Sequence, residues 1–271
     1  MTYLQAIILG AIQGFTEFLP VSSSGHLVIF QNLFSMKNPE FLFDISVHLG
    51  TLAAVCVFFS QEILSIIRSL ASFVLQGKKK AFLRPETEKD MRLVLMIIAA
   101  SIPTALIGLL LQKKADLLFS SLPLVGCMLI LTGIWMWFTK NTPLQEKKIG
   151  LKDALLIGIS QGIAVIPGIS RSGSTIAAGL YLGLDRESAT RFSFFISIPA
   201  ILGAAILSVI HAPAKGSAGI LVILTGAATA FATGYAALNL LVYMVKKGRL
   251  FLFSPYCWAA GCMSLFFALM T

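Results

Sequence analysis

The chain has 271 residues, 57% of them hydrophobic and only 12% charged, with a mean hydropathy of +0.87. Soluble domains carry about one-quarter charged residues, so this composition excludes a soluble globular protein and indicates an integral membrane protein. The net charge of +9 does not indicate a nucleic-acid partner, because the basic residues fall in short clusters at the ends of apolar runs, as the positive-inside rule describes.

The N-terminal stretch "MTYLQAIILG" lacks the basic region of a cleaved signal peptide and is expected to stay with the fold. Uncharged runs of spanning length lie near 93–112, 117–138, 192–210, 216–245 and 250–271, with a more polar candidate near 43–60. Each is long enough for a membrane-crossing helix, which needs roughly 17–25 residues. Residues 61–92 read as a charged loop. Cys56, Cys127, Cys257 and Cys262 lack metal-ligand spacing and read as small buried hydrophobes. Small residues in "GAATAFATGYAAL" (226–238) predict close helix packing, and Trp135 and Trp137 read as interfacial anchors.

Two apolar stretches are broken. Residues 5–25, "QAIILGAIQGFTEFLPVSSSG", align without a gap on 153–173, "DALLIGISQGIAVIPGISRSG", with seven identities in 21 positions at an offset of 148. The matches are Ala6/Ala154, Gly10/Gly158, Gln13/Gln161, Gly14/Gly162, Ser22/Ser170, Ser24/Ser172 and Gly25/Gly173. Most are Gly, Ser and Gln, which a merely hydrophobic composition would not align. The chain therefore divides into repeats at 1–140 and 150–271, each opening on a broken segment (1–33 and 153–184) followed by three spans.

The charges favour broken segments that turn back instead of crossing. With both turning back, one side of the membrane carries sixteen Lys and Arg against four; with both crossing, the split is twelve to eight. Pro167 and Gly168 also divide their stretch into arms shorter than the ~20 residues a crossing needs. The expected fold is an all-α polytopic membrane protein built of two inverted-topology repeats, each a re-entrant helix hairpin plus three transmembrane helices. The irregular tips would have to be buried in protein or line a wet cavity, and they should meet near the midplane.

The tips bring unusual chemistry into an apolar setting. The first carries Gln13, Glu17, Ser22, Ser23, Ser24 and His26; the second carries Ser170, Arg171, Ser172, Ser174 and Thr175. A permanently charged guanidinium, several hydroxyls and Gly-exposed backbone N–H groups make an anion site, most naturally one for phosphate. Gln13 and Glu17 share a helix face and can hold a hard divalent cation such as Mg or Ca against phosphate oxygens. His26 suits a general acid or base. Plainer roles compete: serines in membrane helices often bond the backbone, and Glu17 and His26 could simply pair with each other. A polar contact explains His48, solvation explains Asp44, and His211 receives no role.

Two motifs carry a resemblance that covers nearly the whole chain. "QGFTEFLPVSSSGH" (13–26) and "PGISRSGST" (167–175) are similar to the signatures of the bacterial undecaprenyl-diphosphate phosphatases associated with bacitracin resistance. The resemblance implies metal-dependent hydrolysis of undecaprenyl diphosphate to the monophosphate carrier lipid, in the bacterial plasma (inner) membrane, with the active site on the periplasmic or outer side. Cell-wall peptidoglycan synthesis, cell shape and antibiotic resistance would follow. It also implies catalytic roles for Glu17, Ser23, His26 and Arg171. Ser22, Ser24, Ser170, Ser172, Ser174 and Thr175 are the expected phosphate contacts, with Gln13 and Glu17 at the metal. Gln13 stands where many members have Glu, removing one anionic ligand. Ser23, a metal-activated water and His26 itself remain open as the nucleophile, in that order.

The expected partners are the prenyl diphosphate substrate and the bilayer, with no nucleic acid and room for a homodimer. A secondary transporter or flippase for a phosphate-bearing substrate is the rival reading, because inverted repeats with broken helices are a common transporter design.

Overall fold

The structure, a computed structural model, describes residues 1–33, 41–81, 85–112, 118, 121–142, 147–211 and 219–270. Among these there are eleven α-helices and no strand, as expected where lipid forces each segment to satisfy its own backbone groups. The first repeat contains α1 (Tyr3–Phe18), α2 (Ser23–Leu33), α3 (Phe41–Phe58), α4 (Ser60–Ala81), α5 (Pro85–Gln112) and α6 (Leu122–Trp137). The second contains α7 (Leu151–Ile163), α8 (Arg171–Tyr181), α9 (Arg186–His211), α10 (Ile220–Lys246) and α11 (Ser254–Met270). Five helical stretches are long and apolar enough to cross a membrane: Glu86–Gln112, Leu122–Asn141, Arg186–Ile210, Ile220–Lys246 and Leu250–Met270. The protein is a multi-pass membrane protein. The predicted span ends at 117, 216 and 271, and loop residues Lys37, Lys113, Lys114 and Lys215, lie outside the described residues.

The segment after residue 60 departs from expectation. In place of a loop, α4 continues from α3 through a bend of 79°. Phe59 anchors the bend: it is buried, with its ring edge-on to Phe58 at 4.8 Å and tilted against Phe194 and Phe195 of α9 at 5.8 and 5.5 Å. Along α4, Ile63 and Ile66 pack against the core, while Ser65 and Ser69 both donate to Asp90 Oδ2 of α5 at 2.7 and 2.8 Å. Leu64, Ile67, Val74 and Leu75 stay exposed. This alternation at helical spacing marks an amphipathic helix, which the charges on the segment obscure in the sequence.

Sequence chemistry ends the hairpin arms as expected. Leu19 leaves the helical region with ψ 138° because it precedes Pro20, and Gly168 turns the second tip with a positive φ of 95°. Each hairpin then packs against the other repeat. A methyl group on Gly10 of α1 would come within 2.5 Å of the Gly226 carbonyl oxygen of α10, and one on Gly158 of α7 within 2.1 Å of the Ala100 carbonyl oxygen of α5. Gly10 and Gly158 are aligned repeat positions, so the same backbone-to-backbone contact occurs twice. Gly14 likewise meets Thr233 and the Ala230 carbonyl, which accounts for the small residues of 226–238.

The cysteines only partly follow expectation. All four are free, but only Cys257 is buried; Cys127 and Cys262 are exposed and Cys56 is intermediate. Outward-facing thiols are tolerated here because the surrounding solvent is lipid, so burial in protein is not needed to keep an apolar side chain from water.

Candidate active site

The two tips touch. A methyl on Gly25 would lie 3.3 Å from Gly168 Cα, and one on Gly173 would lie 3.0 Å from Pro20 Cβ. At the repeat offset of 148, Gly25 corresponds to Gly173 and Pro20 to Gly168, so the contact is reciprocal between the repeats. The local bonding repeats as well. Ser22 Oγ accepts from Gly25 N at 3.3 Å and Ser170 Oγ from Gly173 N at 3.1 Å; Ser22 with Ser24, and Ser170 with Ser172, are hydroxyl pairs at 3.3 Å. In both hairpins a serine therefore satisfies an orphan N–H at a helix start.

Side chains from one tip also bond to the other. Gly168 N donates to Ser22 Oγ at 3.1 Å, and Ser172 Oγ donates to the Phe18 carbonyl at 2.9 Å. Ser22 itself has a positive φ of 68°, the one described residue other than glycine in that region. A β-carbon there costs on the order of 1 kcal/mol or more, which the bonds to Gly25 and Gly168 offset.

Glu17 is the hub. Its Oε1 accepts from Arg171 Nη2 at 2.6 Å, and its Oε2 accepts from Ser23 Oγ at 2.7 Å and Gln13 Nε2 at 3.0 Å. Both charged side chains are largely buried, Glu17 at 7% exposure and Arg171 at 14%. Among the buried polar atoms of the described residues that have no hydrogen-bond partner, two lie beside this carboxylate: Arg171 Nη1 and Gln13 Oε1. A donor and an acceptor thus stay unused on either side of the carboxylate. Such orphans are costly, and their complementary chemistry suits a phosphate oxygen and a cation respectively.

Among the described residues no group of three or more His, Cys, Asp or Glu is arranged to hold a metal. One carboxylate with one unpartnered amide oxygen nevertheless fits a hard cation of the Mg²⁺ type, which takes one or two protein oxygens and completes its shell from water and substrate phosphates. An all-protein cage does not fit.

The other predicted residues are distributed as follows. Ser170, Ser172 and Thr175 use their hydroxyls within the protein: Ser170 as the α8 cap, Ser172 on Phe18, and Thr175 on the Arg171 carbonyl at 2.8 Å and on Ser193 Oγ at 2.5 Å. Ser174 is buried, and its carbonyl accepts from Trp135 Nε1 at 3.4 Å, so Trp135 braces the hairpin as well as facing lipid. His26 does not pair with Glu17. Its Nδ1 lies 2.8 Å from the Ser22 carbonyl and its Nε2 2.7 Å from the hydroxyl of Tyr256. His48 makes the expected polar contact, with Nδ1 2.7 Å from the Asp44 carbonyl; the side chain of His211 lies outside the described residues.

Sequence reasoning missed two supports. Thr132 Oγ1 of α6 donates to the Gly168 carbonyl at 3.0 Å and accepts from Ser170 N at 3.1 Å, bracketing the second tip. Tyr256 of α11 is the other. In the sequence Thr132 stands out as the one hydroxyl residue of α6, whereas Tyr256 shares α11 with Ser254 and Ser264 and gives no such signal. An apolar groove of about 410 Å³, lined by Ile7, Ile12, Phe15 and Phe30, runs along the first hairpin to His26 and Tyr256.

The family described as "Bacitracin resistance protein BacA" matches residues 6–263. The chain belongs to the BacA family. Its similarity to individual BacA relatives extends end to end. It is 51% identical over 270 residues to the undecaprenyl-diphosphatase of Desulforapulum autotrophicum, covering 98% of each chain. It is 47% identical over 267 residues to the undecaprenyl-diphosphatase of Desulfatibacillum aliphaticivorans, covering 96% of this chain and 97% of the relative. A third BacA relative, the undecaprenyl-diphosphatase of Desulfosudis oleivorans, is 46% identical over 275 residues, with 98% of each covered.

Proposed function

We infer that this BacA protein is a membrane hydrolase that cleaves undecaprenyl diphosphate to undecaprenyl phosphate and inorganic phosphate, recycling carrier lipid for cell-wall synthesis and so conferring bacitracin resistance. The observation that carries the reading is the Glu17 carboxylate, bound at once to Ser23, Gln13 and Arg171, with Arg171 Nη1 buried and unused beside it. A carrier that only translocates a phosphate group needs charge and hydroxyls, but no carboxylate bonded to a serine hydroxyl. The repeats are inverted in the bilayer of the plasma membrane, and the site opens to the outer side.

In this reading Arg171 Nη1 receives a terminal phosphate oxygen and holds the phosphorus in line with Ser23 Oγ. Ser23 attacks the terminal phosphorus, and its proton passes to Glu17 Oε2, to which it already donates. The bridging P–O bond breaks, with its electron pair leaving on prenyl monophosphate. Glu17 gives the serine proton to that monophosphate; ionised again, it takes the proton of the water that attacks the phosphoserine and returns it to Ser23 Oγ as the P–O bond breaks and phosphate leaves. Positioning and positive charge supply most of such catalysis. A divalent cation, Mg or Ca, held by Gln13 Oε1 and Glu17 would neutralise charge on the phosphate oxygens. The prenyl chain lies in the apolar groove, which brings the lipid-side phosphate to His26.

The test is phosphate release from a prenyl diphosphate by purified protein in detergent, with magnesium or calcium and with chelator, beside Arg171→Ala. Metal-dependent release lost in the variant supports the reading. Well-folded protein that releases none under any metal overturns it, since micelles hold no gradient for a transporter to use.

A further inference from the structure

His26 and Tyr256 are 230 residues apart, yet their rings stack with centroids 5.7 Å apart and planes 11° from parallel, and His26 Nε2 lies 2.7 Å from the tyrosine hydroxyl. The other ring nitrogen decides the proton's place. Nδ1 faces the Ser22 carbonyl oxygen at 2.8 Å, and a carbonyl can only accept, so Nδ1 must carry the hydrogen. In neutral imidazole Nε2 is then bare, and the Tyr256 hydroxyl must donate to it. The Ser22 carbonyl so engaged belongs to the residue with positive φ whose Oγ receives Gly168 N of the opposite tip.

We propose that Tyr256 is the positioning residue of His26: its hydroxyl fixes the imidazole in the Nδ1–H tautomer, and through it holds the Ser22 turn that joins the two tips. Tyr256 and His26 both line the apolar groove, and the hydroxyl occupies Nε2 there. A proton arriving at Nε2 requires only rotation of that hydroxyl from donor to acceptor, with no movement of heavy atoms. Tyr256 therefore controls the side of His26 that faces the lipid-side phosphate. This inference rests on the hydrolase reading for its kinetic consequence and on geometry alone for the tautomer.

Tyr256→Phe tests it, because the ring stays and only the oxygen is lost. Phosphate release from a short-chain prenyl diphosphate in detergent is expected to show kcat lowered about 10- to 100-fold with KM changed by less than about twofold. In ¹⁵N spectra of histidine-labelled protein, the wild-type His26 should be the Nδ1–H tautomer, and its Nε2 resonance should move in the variant while Nδ1–H stays bonded. Wild-type kcat in Tyr256→Phe, or an unmoved Nε2 resonance, overturns the proposal. If the variant does not fold, the wild-type spectrum still decides, since an Nε2–H tautomer there contradicts the assignment. A wild-type protein that releases no phosphate while its Nε2 resonance responds to Tyr256→Phe would instead overturn the hydrolase reading and leave the tautomer standing.

Discussion

Glu17 and Arg171 are 154 residues apart in the chain and joined by a 2.6 Å ion pair at the meeting of two hairpins, one from each repeat. The pair serves assembly and chemistry together. Glu17→Ala or Arg171→Ala leaves a buried charge alone, which typically costs about 3–5 kcal/mol, and should lower phosphate release by at least about 10²-fold. The double variant Glu17→Ala/Arg171→Ala should regain much of the lost stability and none of the activity. Thermal unfolding in detergent beside an activity assay checks this, and additive destabilisation in the double variant would contradict the coupling.

The cation arrangement predicts the effect of a second carboxylate. Gln13→Glu places one 3.0 Å from Glu17, where the amide now donates. Half-maximal activation should need several-fold less magnesium, and in chelator the variant should melt below wild type because two carboxylates then repel. Metal titration of both proteins decides; equal titration curves would remove Gln13 from the cation site.

Thr132→Val keeps the side-chain shape but removes both bonds that bracket the second tip. Stability should fall by about 1–3 kcal/mol, the usual cost of leaving buried backbone groups unpaired, and activity should fall with it although the Thr132 hydroxyl bonds to Gly168 and Ser170 and not to Glu17 or Ser23. Unchanged melting would show that the tip stands without α6.

The reciprocal crossing makes a packing prediction. In Gly158→Ala the new carbon meets the Ala100 carbonyl at 2.1 Å, and in Gly10→Ala it meets the Gly226 carbonyl at 2.5 Å. Both variants should lose stability, by about 1–3 kcal/mol each. Melting temperatures in one detergent would compare the two, and a neutral Gly158→Ala would argue against the close approach.

Outside the spans, Asp185 precedes α9 and its Oδ1 accepts from Ser188 N at 2.9 Å. Partial burial works to raise its pKa, but the hydrogen bonds from Ser188 and the neighbouring backbone outweigh it and hold the carboxyl below its ordinary value. A depressed folded-state value stabilises above the unfolded value and is lost as pH falls through the folded one. Asp185→Ala should cost about 1 kcal/mol at neutral pH and almost nothing in strong acid. A pH series of melting curves reads the difference.

Much of the architecture is carried by short-range features of the chain, and so was legible. Apolar runs marked the spans, Pro167 and Gly168 marked the second break, and the 148-residue repeat pointed to two matching tips. The spans and the break come from residues acting within a few turns of one another, through hydrophobicity and backbone preference, and the repeat from the match between two distant segments. Helix α4 escaped because its charges masked a helical alternation that only makes sense once Phe59 has turned the chain onto α9.

The sequence by itself determined the solvent, the broken hairpins and the set of side chains brought to their tips. The tertiary structure decided which of those side chains meet. Glu17 pairs with Arg171 and not with His26, His26 turns to Tyr256, Ser170, Ser172 and Thr175 spend their hydroxyls on the fold, and Thr132 holds the second tip. The physical reason is that a hydrogen bond is set by position and direction over about 3 Å, and in this chain both are fixed by the crossing of helices far apart in sequence.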